Sequence, residues 1–436
     1  MSESTLDLWH DRMVGFILGA TIVILPLILH PAGYDAFRFP KVLVVRTAAV
    51  LLLMVYSARF VWLGTGAGRR VLLRDRLVQI SAFLIGWCAL AAAFSPEPSV
   101  SLRAMGDVAA GLILFFGAVS HGRRTGSIRI LWLVLIPGVV IVGVVLLQRL
   151  DLWHPLVTVA ELEQLPRGDR ELLAKAALLG NRNDVGLYLL LPLAVAIASS
   201  GQRRWTAAAA VLAIMIGIVV TTTLTIIAVG VGLLATQAVR ELKELRRRNL
   251  IVAGILFVVT LGTLLFAGVQ PELKARFAQH TEDLQSLDVI QLARGREASF
   301  TVAAVMVKEN PLLGVGPGRF PSEFTTVALA ARVEVPDLVA DPTYFDMVHN
   351  DYLEIAAEAG VPALLAAMAL VVSYLRRMRG SHGSIAEEFA ASAGRLALIA
   401  IGAAALVQFP LQLAAVYGTL AIIAGVSLGY VETGQK

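Results

Sequence analysis

The residues best placed to do chemistry lie in one stretch, His349 to Leu365, which reads HNDYLEIAAEAGVPALL. A long hydrophilic loop ends at His349, and an apolar helix of membrane grade begins at once with Asp351, Glu354 and Glu358 in its first turns. Carboxylates are costly there, because even lenient insertion scales charge ~3 kcal/mol for an acidic residue near mid-bilayer, so such groups usually face a bundle interior or a wet cavity. Asn350, Glu354 and Glu358 recur at i, i+4 and i+8 and share one helix face. Capping alone accounts for part of this pattern, with Asn350 or Asp351 as N-cap and Glu354 in the favourable first turn. A histidine at the mouth of a polar helix face, below an arginine-rich loop, can in addition serve as a base near neutral pH beside groups that bind anions.

The elements that must hold these residues are membrane spans. The chain has 436 residues, of which 57% are hydrophobic and 16% charged, with a mean hydropathy of +0.75. That composition excludes an ordinary soluble domain and predicts an all-α polytopic integral membrane protein. Apolar runs long enough to cross ~30 Å of hydrocarbon are expected to start near Met13, Val42, Leu77, Asp107, Ile128, Val185, Trp205, Thr223, Leu250, Tyr352, Leu396 and Tyr417, giving about twelve helices. With no separate hydrophilic block of domain size, residues 1–436 read as a single transmembrane domain. The first run has acidic as well as basic flanks and no small-residue cleavage site, so it is expected to stay as a span. The single cysteine, Cys88, lies in an apolar run and excludes an intramolecular disulfide.

Lys and Arg in short loops stay on the cytoplasmic side, and this fixes the expected orientation. One parity class of loops carries Arg69, Arg70, Arg74 and Arg76, then Arg123, Arg124 and Arg129, then Arg203 and Arg204, the run RELKELRRR from Arg240, and Arg376, Arg377 and Arg379. Both termini are then cytoplasmic, and two long loops, 149–184 and 270–350, lie outside. The formal charge of +5 is explained by these dispersed anchors. They show no aromatic-interleaved groove, which argues against nucleic acid as a partner. Within the larger loop, RGREASFTVAAVMVK (Arg294 to Lys308) has helical periodicity, with Phe300, Ala303, Ala304 and Val307 on one face. It is too short and too charged to span, and reads as an amphipathic helix on the membrane surface. NPLLGVGPGRF (Asn310 to Phe320) follows; its glycines suit either a structural turn or a close approach to phosphate. DPTYFD (Asp341 to Asp346) places two carboxylates five residues apart, but Pro342 favours a turn over a metal site, and no metal or other cofactor is expected.

The ordered set of G-R-x-x-x-aromatic at Gly295 to Phe300, NPLLGVGPGRF, and HNDYLEIAAEAG at His349 to Gly360 resembles the O-antigen ligase and O-antigen polymerase family of bacterial membrane glycosyltransferases. LLGNRNDVGLYLLLPLA (Leu178 to Ala194) is similar to the family's Gly-Asn-x-Asn element at the start of the sixth span. The resemblance implies a C-type glycosyltransferase-like helical fold in the inner membrane, and transfer of a glycan from an undecaprenyl diphosphate carrier to an acceptor hydroxyl at the periplasmic face, without a metal. In a ligase the acceptor is the lipid A-core oligosaccharide; in a polymerase it is another lipid-linked repeat unit. His349 matches the family's essential histidine and Arg296 its loop arginine. The chain departs from the family at Phe300, where Trp is usual, at Ala363, and at Thr221 to Thr225 (TTTLT), where many members carry a Ser-Arg pair. A second diphosphate-binding arginine must therefore come from elsewhere: Arg182 is the candidate, with Arg319 a third. Asn181, Asn350, Asp351, Glu354 and Glu358 are the expected supporting polar groups.

The chemistry of the residues agrees with this. A glycosyl diphosphate already carries its leaving group, so an enzyme needs a base for the incoming hydroxyl and positive charge on the departing diphosphate. Arginine offers a multi-donor fork for phosphate. An O-antigen ligase acting with membrane lipids around it is the leading expectation; a polymerase, a protein O-oligosaccharyltransferase and, from another class, a transporter or flippase are the alternatives. Transporters tend to show inverted repeats and paired broken helices, and neither is visible in the sequence.

Overall fold

A computed structural model of the chain describes residues 3–31, 35–63, 75–156, 175–243, 296–334, 344–380 and 383–434, with isolated positions between 161 and 278. The helices are α1 (Glu3–Leu27), α2 (Arg38–Leu63), α3 (Arg76–Ala93), α4 (Pro98–Thr125), the short α5 (Arg129–Leu133) running on into α6 (Leu135–Arg149), α7 (Arg182–Ala198), α8 (Arg204–Val220), α9 (Leu224–Lys243), α10 (Glu297–Glu309), α11 (Phe320–Glu334), α12 (Asp351–Arg377), α13 (Ile385–Ala404) and α14 (Ala414–Gly434). Among the described residues nine helical segments are long and apolar enough to cross a membrane. The protein is an all-α polytopic membrane protein. α8 is shorter, and α13 carries Glu387, Glu388 and Arg395; these two fill the places of the spans expected from Trp205 and Leu396. The span expected from Leu250 lies outside the described residues.

Two helices form the centre. α7 is apolar all round, as a helix surrounded by other helices must be, and every residue from Asp184 to Ala198 is buried. α14 packs along α4 at close range: an added Cβ at Gly425 or Gly429 would overlap the carbonyl oxygen of Phe115 or Val119. A small residue at every fourth position lets two helix backbones approach, the usual packing device where lipid removes the hydrophobic drive between helices.

Three helices start earlier than hydropathy suggests. α4 begins at Pro98 and not near Asp107, α13 at Ile385 and not near Leu396, and α1 at Glu3 and not near Met13. The added turns are polar, and their charges are answered across the bundle: Asp7 by Arg59 and Arg124, Glu388 by Arg240. At that same end Arg377 holds Asp75 at 2.6 Å and Glu432 at 3.1 Å. Hydropathy windows miss turns whose cost is offset by such pairing.

α12 is the helix that carries the His349 motif, and it is broken. Gly360 stands at φ 82, ψ 167, which splits the span into Asp351 to Ala359 and a longer half that starts at Val361. The break frees backbone groups where water is scarce, and each left unpaired would cost ~1–3 kcal/mol. The NPLLGVGPGRF loop pairs them. Val315 N donates to Ala357 O (2.9 Å), Gly316 N to Glu358 O (2.8 Å), and Val361 N to Pro311 O (2.9 Å). Trp87 Nε1, from α3, donates to Ala359 O (3.1 Å) and to Leu312 O (3.2 Å). The glycines of this loop serve the docking, so the loop is a plug for the helix break.

Gly360 tolerates no side chain, because its φ lies in the left-handed region and an added Cβ would overlap the Leu312 carbonyl. Gly360→Ala is expected to destabilise the protein by at least ~2 kcal/mol through strain and displacement of the loop. Thermal unfolding of the detergent-purified protein checks this; an unchanged midpoint would contradict the account.

Candidate active site

Site residues converge on the end of the bundle where α12 begins. Asn350 is the N-cap of α12, its side chain accepting from Leu353 N at 3.0 Å, so the capping role expected for it holds. His349, just before the cap, sits at φ 61, a left-handed conformation uncommon for a residue with a side chain. Its neighbours fix it there. Val348 N donates to Glu354 Oε2 (3.1 Å), and Val348 O lies 3.0 Å from the buried Ser299 hydroxyl of α10.

The three carboxylates of α12 hold backbone and loop, and none is hydrogen-bonded to the His349 ring. Asp351 accepts from Leu411 N (2.9 Å). Glu354 accepts from Gln412 Nε2 (3.0 Å) as well as from Val348 N. Glu358 accepts from Gly318 N (2.7 Å) and Phe320 N (2.9 Å), and so caps the start of α11. The acids shape the frame around His349.

A hub missing from the sequence reading is the connection from Ala405 to Leu413 between α13 and α14. It receives Asp351 N at Ala405 O (3.0 Å) and Arg296 Nη1 at Val407 O (2.9 Å). Its Phe409 ring lies 4.8 Å from the His349 ring, edge to face, with Phe345 at 6.2 Å from His349 on another side. On Phe409 also rests Arg38 of α2, its guanidinium carbon 5.8 Å from the ring centroid. His349 Nδ1 is buried and has no hydrogen-bond partner among the described residues. Burial, then the charges of Arg296 and Arg38, push the His349 imidazole down to about 4, so the free protein holds it neutral at physiological pH.

The arginines proposed from sequence take different places. Arg296 is the N-cap residue of α10, as its position at the head of the amphipathic segment implies. That helix buries Val302, Ala303 and Met306 against α11 and α12, and Ala304 is exposed on it. Arg182 opens α7 directly after its cap, Asn181, which accepts from Asn183 N (2.9 Å). Arg319 is buried, and its partners among the described residues are Glu97, just before α4, at 3.4 Å and Glu323 of α11, so its charge is already matched within the protein. The Thr221 to Thr223 turn between α8 and α9 joins this end through Thr223 Oγ1, which donates to Asn183 Oδ1 at 2.8 Å. Asp341 of the DPTYFD segment lies outside the described residues. Among the described residues no group of three His, Cys, Asp or Glu side chains could ligate a metal ion.

Arg38 and Lys41 were missed, although a signal exists: they are basic residues at the end of a span opposite to the basic clusters, where the positive-inside bias leaves few. Lys41 spends all three ammonium protons on the carbonyls of Ile28, Phe37 and Leu178, at 2.7–2.8 Å, and ties α1, α2 and the α7 entry together. Below this end lies an apolar cavity of about 390 Å³ between α3, α4, α12 and α14, lined among others by Gly318, Ile355, Leu370, Tyr417 and Gln412. Gln412 and Val42 also line a small pocket at Arg38, Lys41 and Asp184.

The arrangement gathers a partly buried imidazole and the charges of Arg296 and Arg38 around the 405–413 connection, whose Gln412 also borders the apolar cavity. Residues 188–368 match the family model described as O-antigen ligase. That match is a likeness over part of the chain, and it agrees with the motifs. It takes in Arg296, Arg319, His349 and the α12 carboxylates and leaves out Arg38, Asn181 and Arg182. None of the curated proteins compared matches the chain.

The electrostatics predict how His349 titrates. Removing one positive neighbour relieves part of the penalty on the imidazolium, so Arg296→Gln should move the midpoint upward, from about 4 toward the ordinary ~6.5. Nitrogen-15 histidine NMR, with His349→Gln for assignment, reads this; a midpoint unmoved or lowered by Arg296→Gln would contradict the placement.

Proposed function

We propose that the protein is an O-antigen ligase: it transfers a polysaccharide from an undecaprenyl diphosphate carrier to a hydroxyl of lipid A-core oligosaccharide, without a metal and with inversion, at the periplasmic face of the inner membrane. The observation that supports this reading is the placement of the His349 ring and the Arg38 guanidinium against one phenyl ring, Phe409, in the connection that also receives Arg296 at Val407 O and whose Gln412 borders the apolar cavity. A diphosphate borne on a long hydrocarbon has this same two-part chemistry.

In the reaction, the acceptor hydroxyl attacks the anomeric carbon, and its proton goes to the neutral His349 imidazole. The bond from the anomeric carbon to the phosphate oxygen breaks with its electron pair leaving on the polyprenyl diphosphate. Arg296 holds that leaving group with a fork that matches phosphate oxygens, in surroundings poor in water where fixed charge counts most. The diphosphate also serves the base. Its negative charge offsets Arg296 and Arg38, the charges that weaken the imidazole in the free protein, so His349 becomes a stronger base once the donor is bound. Arg182 and Arg319 are secondary candidates for donor contact, and Asn181, Asn350, Asp351, Glu354 and Glu358 position the frame.

The test is reconstitution of purified protein with polyprenyl diphosphate-linked glycan and lipid A-core. Glycan-capped core with release of polyprenyl diphosphate is expected. Arg296→Lys should be at least ~10²-fold slower, since a point charge does not replace the fork. Growth of the glycan on its carrier, with no transfer to core, would make the protein the family's polymerase. Movement of intact donor across the bilayer without its consumption would overturn the enzyme reading.

A further inference from the structure

The TTTLT departure leaves open which residue joins Arg296 on the diphosphate, and the structure supplies an arginine that no motif marks. Arg38 opens α2 at the His349 end. It and His349 flank the same phenyl ring, with the Arg38 guanidinium carbon 5.8 Å and the His349 ring centroid 4.8 Å from the Phe409 centroid. Its neighbour Lys41 is fully engaged with three carbonyls and has no proton left for a ligand. Arg38 differs. Its charge partner is Asp184, whose Oδ2 lies 3.7 Å away, and the Arg38 side chain is 40% exposed while that of Asp184 is 4% exposed. A buried carboxylate thus pre-positions a guanidinium whose outer edge is open. Arg38 and Gln412 line one small pocket, and Gln412 and Val42 line the apolar cavity as well. An anion at Arg38 would therefore lie beside the wall of that cavity.

We infer that Arg38 is a donor-binding residue, the second guanidinium that receives the diphosphate of the lipid-linked donor, held ready by Asp184. This rests on the function proposed above and extends it to a residue outside the matched family stretch. Arg296 reaches the leaving group from the α10 side and Arg38 from α2, on either side of the Phe409 and His349 rings. When the donor binds, Arg38 exchanges a loose ion pair for the charge-assisted forked contacts that arginine makes with phosphate oxygens.

The test uses the full chain in nanodiscs with the glycan-linked donor, and with polyprenyl diphosphate and inorganic pyrophosphate as separate competitors. Arg38→Gln is expected to raise the donor KM about ten- to hundredfold and to weaken competition by polyprenyl diphosphate to a similar degree. Arg38→Lys, which keeps the charge facing Asp184, should recover little of either. Weakened competition by inorganic pyrophosphate as well would identify the phosphate groups as what Arg38 recognises; loss confined to the lipid form would identify the membrane-anchored head, and both support the assignment. A wild-type donor KM in Arg38→Gln, or full recovery in Arg38→Lys, would overturn it and leave Arg38 as a structural partner of Asp184. If Arg38→Gln does not fold, Arg38→Lys alone decides by the same criterion. A wild-type protein that neither binds nor consumes the donor would overturn the proposed function and this assignment together, an outcome separate from loss in the variants alone.

Discussion

Everything at the His349 end depends on how the break in α12 is closed. A helix that stops at Ala359 within the span exposes the carbonyls of Ala357, Glu358 and Ala359, and in lipid such groups must be paired inside the protein. The amides of Val315 and Gly316 and the Trp87 indole pair them. This joins the 310–320 loop to α12 so tightly that the first half of the helix, Asp351 to Ala359, becomes a short pedestal. His349 stands at its top, and α10, α11 and the 405–413 connection are fastened around its sides.

The pedestal explains where the acids went. A carboxylate at membrane depth is tolerated where it meets several donors, and Asp351, Glu354 and Glu358 each accept from main-chain amides of a different neighbouring segment. They are the fasteners that hold the 405–413, 344–349 and 316–320 segments in register with α12. Because they are committed to backbone, the imidazole is governed by its own burial and then by the charges of Arg296 and Arg38.

Much of this was legible in the sequence, and the remainder was hidden for physical reasons. Apolar runs mark spans because hydrocarbon imposes length and composition, so the start of α2, α3, α7, α8, α9 and α12 falls within a few residues of expectation. The Asn350 cap and the place of Arg296 at the head of α10 followed from local rules. Gly360 did not. In EAGVPALL a glycine and a proline read as tolerable helix interior, and only the approach of Leu312, 48 residues away in sequence, turns the position into a break. The same holds for Arg38 and Phe409, which meet across the whole bundle and carry no periodic signal. On α10 the periodicity marked the helix, while the packing of Val302 and Met306 against α11 and α12 depends on partners that local sequence does not show.

The central claim is that His349 takes the acceptor proton while other groups bind the donor. The most direct measurement is single-turnover glycan transfer by purified His349→Ala protein, with donor binding measured separately on the same preparation. The account predicts donor affinity within a few-fold of wild type and transfer slowed by ~10² or more, as for loss of a general base. Wild-type transfer by His349→Ala would contradict it.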